Sequence, residues 1–350
     1  MQHKRQRRQG PLTVYVRQWQ ISGVTSWVTS MRSLLLNKGV YVEILVHSES
    51  PSSSPPPVHR TLIADRDKHK AGRWRTFIST LAFVQTVRPR HVHMVDGNLA
   101  VALALWFRQV PFSYSVHVNP LSLKARIQVS IIGMLCRNVA AITREQSHLL
   151  SSKTLVRREW LRIVPNVVMP PSYVRLAPPA RLRVGVVSRL SSGKGLERIP
   201  KLAQVIAKYE GLSLHLFGDG PLRELLEESV SADVVFHGWV SGADELFTHI
   251  DLLAVLSSDE VAPTVALEAG IRGIPTACLH PLPGVTEMLG DLAWTPSTDA
   301  CIPSEEEFVS GCLLHRTWPT PRDLHELVSH RFSGKSAATT FIHMTNLELR

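Results

Sequence analysis

The chain has 350 residues, 44% hydrophobic and 19% charged, which is the composition of a globular protein. Its length exceeds that of one ordinary domain, so we expect two. No apolar run approaches the roughly 18 residues of a membrane span, and the basic stretch Met1–Gly10 lacks the apolar run of a secretory signal behind it. The four cysteines show no CxxC pair, which predicts reduced thiols and excludes common zinc motifs. We therefore expect a cytoplasmic protein.

The net charge of +10 is unevenly distributed along the chain. Residues 1–180 contain 25 Lys and Arg against 7 Asp and Glu, a net +18, whereas residues 181–350 contain 14 against 22, a net −8. A basic domain predicts an anionic partner: nucleic acid, an anionic membrane surface at the inner face of the membrane, or a phosphorylated acceptor. The alternative is a solvated basic surface without a partner. Zinc-finger, basic-zipper and aromatic RNA-binding patterns are missing, which disfavours nucleic acid.

The first half alternates strand and helix patterns. In chain order we predict strand Leu12–Val16, helix Val24–Asn37, strand Val40–Val46, strand Thr61–Ala64, helix Phe77–Val87, strand His91–Val95, helix Leu99–Arg108 and strand Phe112–Val118. The longest apolar runs, Leu99–Trp106 and Ile127–Leu135, are expected to lie in the core as helix or strand. This alternation predicts a parallel α/β sheet.

A proline-rich stretch divides the chain, with five prolines in residues 165–179. After it we predict strands Val184–Ser188, Leu212–Phe217, Val234–His237, Leu252–Leu256 and Thr276–Leu279 and helices Leu196–Tyr209, Leu222–Glu228 and Thr264–Ile271. The sequence thus predicts two α/β domains, each a doubly wound, Rossmann-like parallel sheet, facing a cleft. Their predicted bounds are 1–170 for the first domain, 171–182 for the linker, 183–330 for the second domain and 331–350 for a C-terminal helix. Ligands of such sheets bind at the carboxyl ends of the strands.

Three segments of the second half end a strand in a polar or glycine-rich loop. VGVVSRLSSGKG carries Arg189 and Lys194, two cations suited to a diphosphate. LHLFGDGP turns at Gly218, and VVFHGWV reaches Gly238, where backbone can approach a flat base closely. Taken alone, each of the first two segments favours an ordinary turn over a ligand site.

The most specific segment is SSDEVAPTVALEAGIRG, residues 257–273. Its proline predicts a helix start, which exposes the first N–H groups, those of Thr264 and Val265. Glu260 precedes this helix and Glu268 lies on its second turn, within an apolar run that makes full exposure of the carboxylate unfavourable. Carboxylates so placed can bind the vicinal hydroxyls of a sugar and of a ribose; helix capping and a surface position are the alternatives.

The order and spacing of these segments resemble the donor domain of GT-B fold glycosyltransferases of the retaining family 4. The resemblance covers residues 184–290 and includes the segment PGVTE at 283–287, which is similar to the family's following phosphate-side loop. Pro283 is a departure, because a glycine is common at that position.

The first domain resembles the same family less sharply. The segment ISGV is similar to the family's first glycine loop, with Gly23 standing where a pair of glycines is usual. The strand FSYSVHVN resembles the one that carries the family's active-site histidine, which corresponds to His117. The last helix of this fold often crosses back to the first domain.

The resemblance implies transfer of a sugar, with retention, from a nucleotide-diphosphate donor to a saccharide or lipid-linked acceptor, without a cofactor or metal. Arg189 and Lys194 would neutralise the leaving diphosphate. Glu268 would bind the ribose, Glu260 the sugar hydroxyls, and His117 would act beside the sugar as hydrogen-bond donor or proton shuttle. Polysaccharide or glycolipid synthesis is the implied context.

Other interpretations remain open at this stage. A GT-B nucleotide-sugar epimerase, a phosphorylase, or a non-catalytic subunit docking on an anionic partner would share the pattern. Asp65 and Asp67 form a DxD triplet that would bind a metal in another glycosyltransferase fold, but the donor pattern contradicts that fold. His91 and His93 share one strand face, where a satisfied polar pair is favoured over a zinc site.

Overall fold

The computed structural model describes residues 10–19, 22–49, 59–62, 72–175, 182–230, 234–296, 302–314 and 318–345. These residues form two compact units. The first unit contains the described residues up to Val167 together with those from Gly334 onward, and the second contains Val168–Ser333. The C-terminal helix therefore belongs to the same unit as the N-terminal half of the chain.

The described part of the first unit contains a seven-stranded sheet in the order β3-β2-β1-β4-β5-β6-β7, and its paired strands are parallel. The strands are β1 (Leu12–Trp19), β2 (Val42–Glu49), β3 (His59–Thr61), β4 (His91–Met94), β5 (Phe112–Val116), β6 (Val139–Ala141) and β7 (Leu161–Ile163). The helices are α1 (Gly23–Asn37), α2 (Arg73–Val87), α3 (Leu99–Phe107), α4 (Leu123–Cys136), α5 (Arg144–Lys153) and α13 (Lys335–Met344).

The core of the first unit follows from its continuous apolar strands. Residues 12–16 of β1 are buried on both faces, as a central parallel strand requires. The α1 helix starts at a capping box formed by Ser22 and Thr25, and it places Trp27 in this core. The ring of Phe341, from α13, packs edge-on against Trp27 with centroids 6.0 Å apart, so the last helix completes the core.

The described part of the second unit contains a six-stranded parallel sheet in the order β10-β9-β8-β11-β12-β13. The strands are β8 (Leu182–Val187), β9 (Leu212–Phe217), β10 (Val234–Gly238), β11 (Leu252–Val255), β12 (Thr276–Cys278) and β13 (Ala293–Trp294). The helices are α6 (Ile199–Ile206), α7 (Arg223–Ser229), α8 (Ala243–Thr248), α9 (Thr264–Gly270), α10 (Pro283–Leu289), α11 (Glu305–Leu314) and α12 (Pro321–Phe332).

The two sheets confirm the predicted fold class of two doubly wound parallel-sheet units. The predicted strands that carry the motifs agree with the structure within a few residues. The predicted helix 196–209 is shorter: a 3₁₀ turn at Leu196–Arg198 precedes α6, because Pro200 enters at the start of the α-helix. Within the described residues, no helix is long and apolar enough to cross a membrane.

The two long apolar runs of the first half form helices that pack into the core, as predicted, but with one face only. They form α3 and α4, which bury one side and leave Leu103, Trp106 and Ile127 exposed. A short helix that is apolar all round still has a solvent side when only one of its faces meets the sheet.

Candidate functional site

The strand order of the second unit reverses between β8 and β11, and ligands of open parallel sheets bind at such a point. The loop after β8 carries Arg189 and Lys194, and the loop after β11 carries Glu260. Three residues predicted from separate motifs thus follow the two strands that flank the switch point.

These two loops are joined by an ion pair. Lys194 Nζ donates a hydrogen bond to Glu260 Oε1 at 2.6 Å, and the side chains are 35% and 22% exposed. Ser257 Oγ donates to the carbonyl of Gly193 at 3.4 Å, which ties the loops together a second time. Gly195 has a φ of +73°, and a Cβ on it would overlap the carbonyl of Leu256. The backbones of the loops therefore lie in direct contact.

The glycines of the next two strands hold the same edge of the sheet together. Gly218 ends β9 with a φ of +122°, and a Cβ there would overlap the carbonyl oxygen of Ser188. Its N–H donates to the carbonyl of Gly238 at 2.8 Å. Gly238 itself has a φ of +66° and lies beside the guanidinium of Arg223. Gly218 and Gly238 thus allow the backbones of neighbouring loops to pack closely, and their contact with a ligand stays a prediction.

The α9 helix follows the Glu260 loop and begins after Pro263. Its first residues, Thr264 and Val265, are half-buried, and their N–H groups come before the first intrahelical hydrogen bonds. Glu268 lies on the second turn and is half-buried between the buried side chains of Leu267 and Ala269. The prediction that this carboxylate is not fully exposed is confirmed.

The helix α10 also packs against the Glu260 loop at the carboxyl edge of the second sheet. The segment 283–287, which resembles a loop, begins the helix α10 instead, with Pro283 as its first residue. A Cβ on Gly284 would overlap the carbonyl of Val261, so only glycine lets α10 pack against the Glu260 loop. This role of Gly284 was not predicted from the sequence, although a glycine directly after a helix-starting proline is a signal for it.

In the first unit, His117 follows directly after β5 and packs edge-on against Trp27, with ring centroids 5.1 Å apart. Its Nε2 is buried and has no hydrogen-bond partner among the described residues. Burial lowers the pKa of His117 to about 4, so the imidazole is neutral at pH 7. Gly23 is the exposed first residue of α1, one position after the capping Ser22.

Asp96, a carboxylate at the switch point of the first sheet, was not predicted as a site residue from the sequence. That sheet reverses between β1 and β4, and Asp96 follows β4 closely. Its Oδ2 accepts a hydrogen bond from the N–H of Arg17 at 2.9 Å, and burial raises its pKa above the ordinary value. The sequence signal that could have identified Asp96 is an acidic residue close after a buried strand.

The histidines set aside as metal ligands are satisfied by hydroxyls. Ser113 Oγ lies 2.9 Å from His91 Nε2 and 2.8 Å from His93 Nδ1, and Ser115 Oγ lies 2.8 Å from His93 Nε2. The prediction of a satisfied polar pair is confirmed. No cluster of three or more His, Cys, Asp or Glu in the described ranges is arranged to hold a metal ion. The Asp65–Asp67 triplet lies outside the described residues.

Comparison with known proteins adds a family match and a set of similar structures. Residues 175–307 match the family described as Glycosyl transferases group 1. Anabaena Alr3699/HepE, solved in complex with UDP and glucose, is 15% identical, with a TM-score of 0.77 over 96% of this chain and 99% of that one.

Two further structures have the same fold. Sucrose-phosphate synthase from Thermosynechococcus elongatus is 15% identical, with a TM-score of 0.74 over 97% of this chain and 98% of that one. The lipopolysaccharide outer core galactosyltransferase WaaB is 16% identical, with a TM-score of 0.68 over 95% and 99%. At such identities the likeness shows the GT-B fold. No curated protein sequence matches the chain.

Proposed function

We propose that this chain, which is a glycosyltransferase of the GT-B type, transfers a sugar with retention from a nucleoside-diphosphate sugar to a saccharide or lipid-linked acceptor. The observation that carries the proposal is the Lys194–Glu260 pair, which joins a cation and a carboxylate across the switch point of the second sheet. Complexes of a structural relative with UDP and glucose support the donor class.

The diphosphate would bind the cations that follow β8. Arg189 is exposed, and the Lys194 ammonium is about one-third exposed on the same loop. Phosphate oxygens would compete with Glu260 for the ammonium, and charge-assisted hydrogen bonds of this kind are about twice as strong as neutral ones. As the phosphate leaves the sugar, the two cations would neutralise the developing charge.

The carboxylates would hold the hydroxyls of the donor. Glu268 is assigned to the ribose, because it lies half-buried on the second turn of α9, at the position that the resemblance assigns to ribose binding. Glu260 is assigned to the sugar hydroxyls next to the anomeric carbon. The backbone at Gly218, Gly238, Thr264 and Val265 would form the remaining contacts to base and phosphate.

In the proposed reaction, the bond between the anomeric carbon and the phosphate oxygen breaks as the acceptor oxygen bonds to that carbon from the same face. The acceptor proton passes to the leaving phosphate oxygen, so no protein nucleophile is needed. Neutral His117 would donate a hydrogen bond to the sugar, and Asp96 would orient the acceptor hydroxyl. Because Arg189 and Lys194 would neutralise the charge that develops on the phosphate, the proposed reaction requires no metal ion.

The acceptor side is assigned to the first unit. The +18 charge of residues 1–180 favours an acceptor that carries phosphate, or one embedded in an anionic membrane. We therefore propose a place at the inner face of the membrane, with polysaccharide or glycolipid assembly as the context. Nucleic acid is not part of this proposal.

The proposal is tested by incubating the protein with UDP-, GDP- and ADP-sugars, with and without a membrane-lipid extract. The expected result is acceptor-dependent release of one nucleoside diphosphate, with a product whose anomeric configuration, read by NMR, matches that of the donor. Donor conversion without any acceptor would indicate an epimerase instead. An inverted product would contradict the retaining mechanism.

A further inference from the structure

The helices on one side of the first sheet expose large aromatic side chains. Trp74 on α2 is 71% exposed, and Trp106 and Phe107 at the end of α3 are 57% and 65% exposed. Phe77 connects them, since its ring lies 5.6 Å from that of Trp74 and 6.4 Å from that of Phe107. We call Trp74, Phe77, Trp106 and Phe107 the aromatic patch. A contiguous exposed patch of this kind marks an interaction surface.

The charged residues around the aromatic patch are almost all basic. Arg73 and Arg75 flank Trp74 in the chain, Arg108 follows Phe107, and Arg137 follows α4; all four are exposed. Residues 72–137 contain eight Lys and Arg against a single acid, Asp96, and none of the helices α2, α3 and α4 contains an acid. A partner of this surface must therefore be anionic as well as apolar.

A cavity adjoins the patch. It has a volume of about 460 Å³, and Trp106 and Phe107 form one wall while Leu135 and Cys136 of α4 form another. Its other lining residues come from the start of β5 and the turn before it, and polar and apolar atoms line it in about equal measure. The cavity therefore extends the surface of the aromatic patch from α3 to the end of α4.

We infer that the aromatic patch and its flanking arginines form the surface by which this protein docks on a bilayer containing anionic phospholipid. Tryptophan rings favour the boundary between headgroups and acyl chains, and arginines favour the negative potential above it. A second copy of this chain fits less well, because a symmetric contact would bring the arginines of both copies together. The inference does not depend on the proposed sugar transfer.

The test is co-sedimentation of the full-length protein with vesicles of phosphatidylcholine alone or with about 30% phosphatidylglycerol. We expect binding to the anionic vesicles, weakening as salt is added, and roughly 10-fold weaker binding for the Trp74→Ala/Trp106→Ala double variant. Trp239→Ala is the matched control, since Trp239 is a 53% exposed tryptophan of the second unit. Circular dichroism verifies that the variants fold.

Three outcomes would overturn the inference. The first is equal binding of the double variant and wild type, and the second is absence of binding to anionic vesicles by folded protein. The third is a wild-type dimer, seen by sedimentation velocity without vesicles, that the double variant abolishes. None of these measurements uses a sugar donor, so they leave the proposed transferase activity untouched.

Discussion

Lys194 Nζ lies 2.6 Å from Glu260 Oε1, although the two residues are 66 positions apart in the sequence. The contact places a cation and a carboxylate side by side at the point where the strand order of the second sheet reverses. The two partners have different proposed tasks, since Lys194 would bind phosphate and Glu260 would bind sugar. Substituting each separately distinguishes these tasks.

Lys194→Met should weaken binding of the nucleoside diphosphate about 10- to 100-fold, because a charge-assisted contact to phosphate is lost. Glu260→Gln should leave that binding unchanged or slightly tighter, since it removes a competing anion, yet it should lower kcat for sugar transfer. Isothermal titration calorimetry and initial rates measure the two effects. If both variants lose nucleotide binding equally, the pair is a structural brace and the division of tasks is wrong.

Gly218→Ala should destabilise the second unit by more than strained backbone alone explains. Its φ of +122° already disfavours a side chain, by about 1–3 kcal/mol, and the new Cβ would also overlap the carbonyl of Ser188. Gly242→Ala is the matched control, because Gly242 has a φ of +103° but open space around it. Urea unfolding should give a clearly lower free energy of unfolding for Gly218→Ala than for Gly242→Ala. Equal losses of unfolding free energy would mean that the loops of Gly218 and Ser188 move apart to accommodate the new side chain.

Asp251→Ala should cost about 3 kcal/mol of unfolding free energy, because it leaves two partly buried arginine groups without their buried acceptor. The carboxylate is fully buried and accepts hydrogen bonds from Arg175 and from Arg183, whose Nε and Nη2 each lie at 2.9 Å. Glu326→Ala is the control: its pair with Arg322 is 60% and 82% exposed and should contribute less than about 1 kcal/mol. Similar losses from both variants would contradict this ranking.

The Asp251 carboxylate should also make the free energy of unfolding depend on pH. Burial raises the pKa of Asp251, but the hydrogen bonds from Arg183 and Arg175 outweigh burial and leave the pKa below its ordinary value. The stabilisation is therefore complete above the unfolded-state pKa of about 3.9 and is lost progressively as pH falls from there through the lower folded-state pKa. Unfolding measured from pH 7 to pH 3 should show the difference in unfolding free energy between wild type and Asp251→Ala narrowing below about pH 4. A constant gap between them across that range would contradict the assignment.

His117 should act as a neutral hydrogen-bond donor. Burial lowers its pKa to about 4, so its titration should not appear in the rate of transfer between pH 6 and pH 8. His117→Ala should lower kcat roughly 100-fold, while His117→Gln, which keeps a donor, should recover part of it. A rate profile with a pKa near 6.5 that disappears in His117→Gln would instead show that the histidine is charged in the working enzyme.

The strands and loops of the candidate donor site could be predicted because continuous apolar runs end abruptly in glycines and charges. The segment around Glu260 and Glu268 has both a helix-starting proline and an apolar stripe, so its local pattern already defines α9. Short helices such as α8, only six residues long, were missed because they show less than two turns of periodicity. Sequence patterns are most informative where a strand passes directly into a turn.

Pairings between distant segments could not be predicted. Nothing local to Lys194 indicates that it contacts Glu260, and nothing local to Gly284 indicates that it lies against Val261. The exposure of Trp106 was missed for a related reason, because the apolar character of α3 does not say which of its faces meets the sheet. These features arise from tertiary packing, which only the structure provides.

The central claim, a nucleotide-sugar site in the second unit, is tested most directly by calorimetric binding of UDP, GDP and ADP without metal. Wild type should bind one of them with micromolar affinity, Glu268→Ala should lose that binding, and Glu326→Ala, the exposed control, should retain it. Absence of binding by folded wild-type protein, or equal binding by Glu268→Ala, would contradict the account.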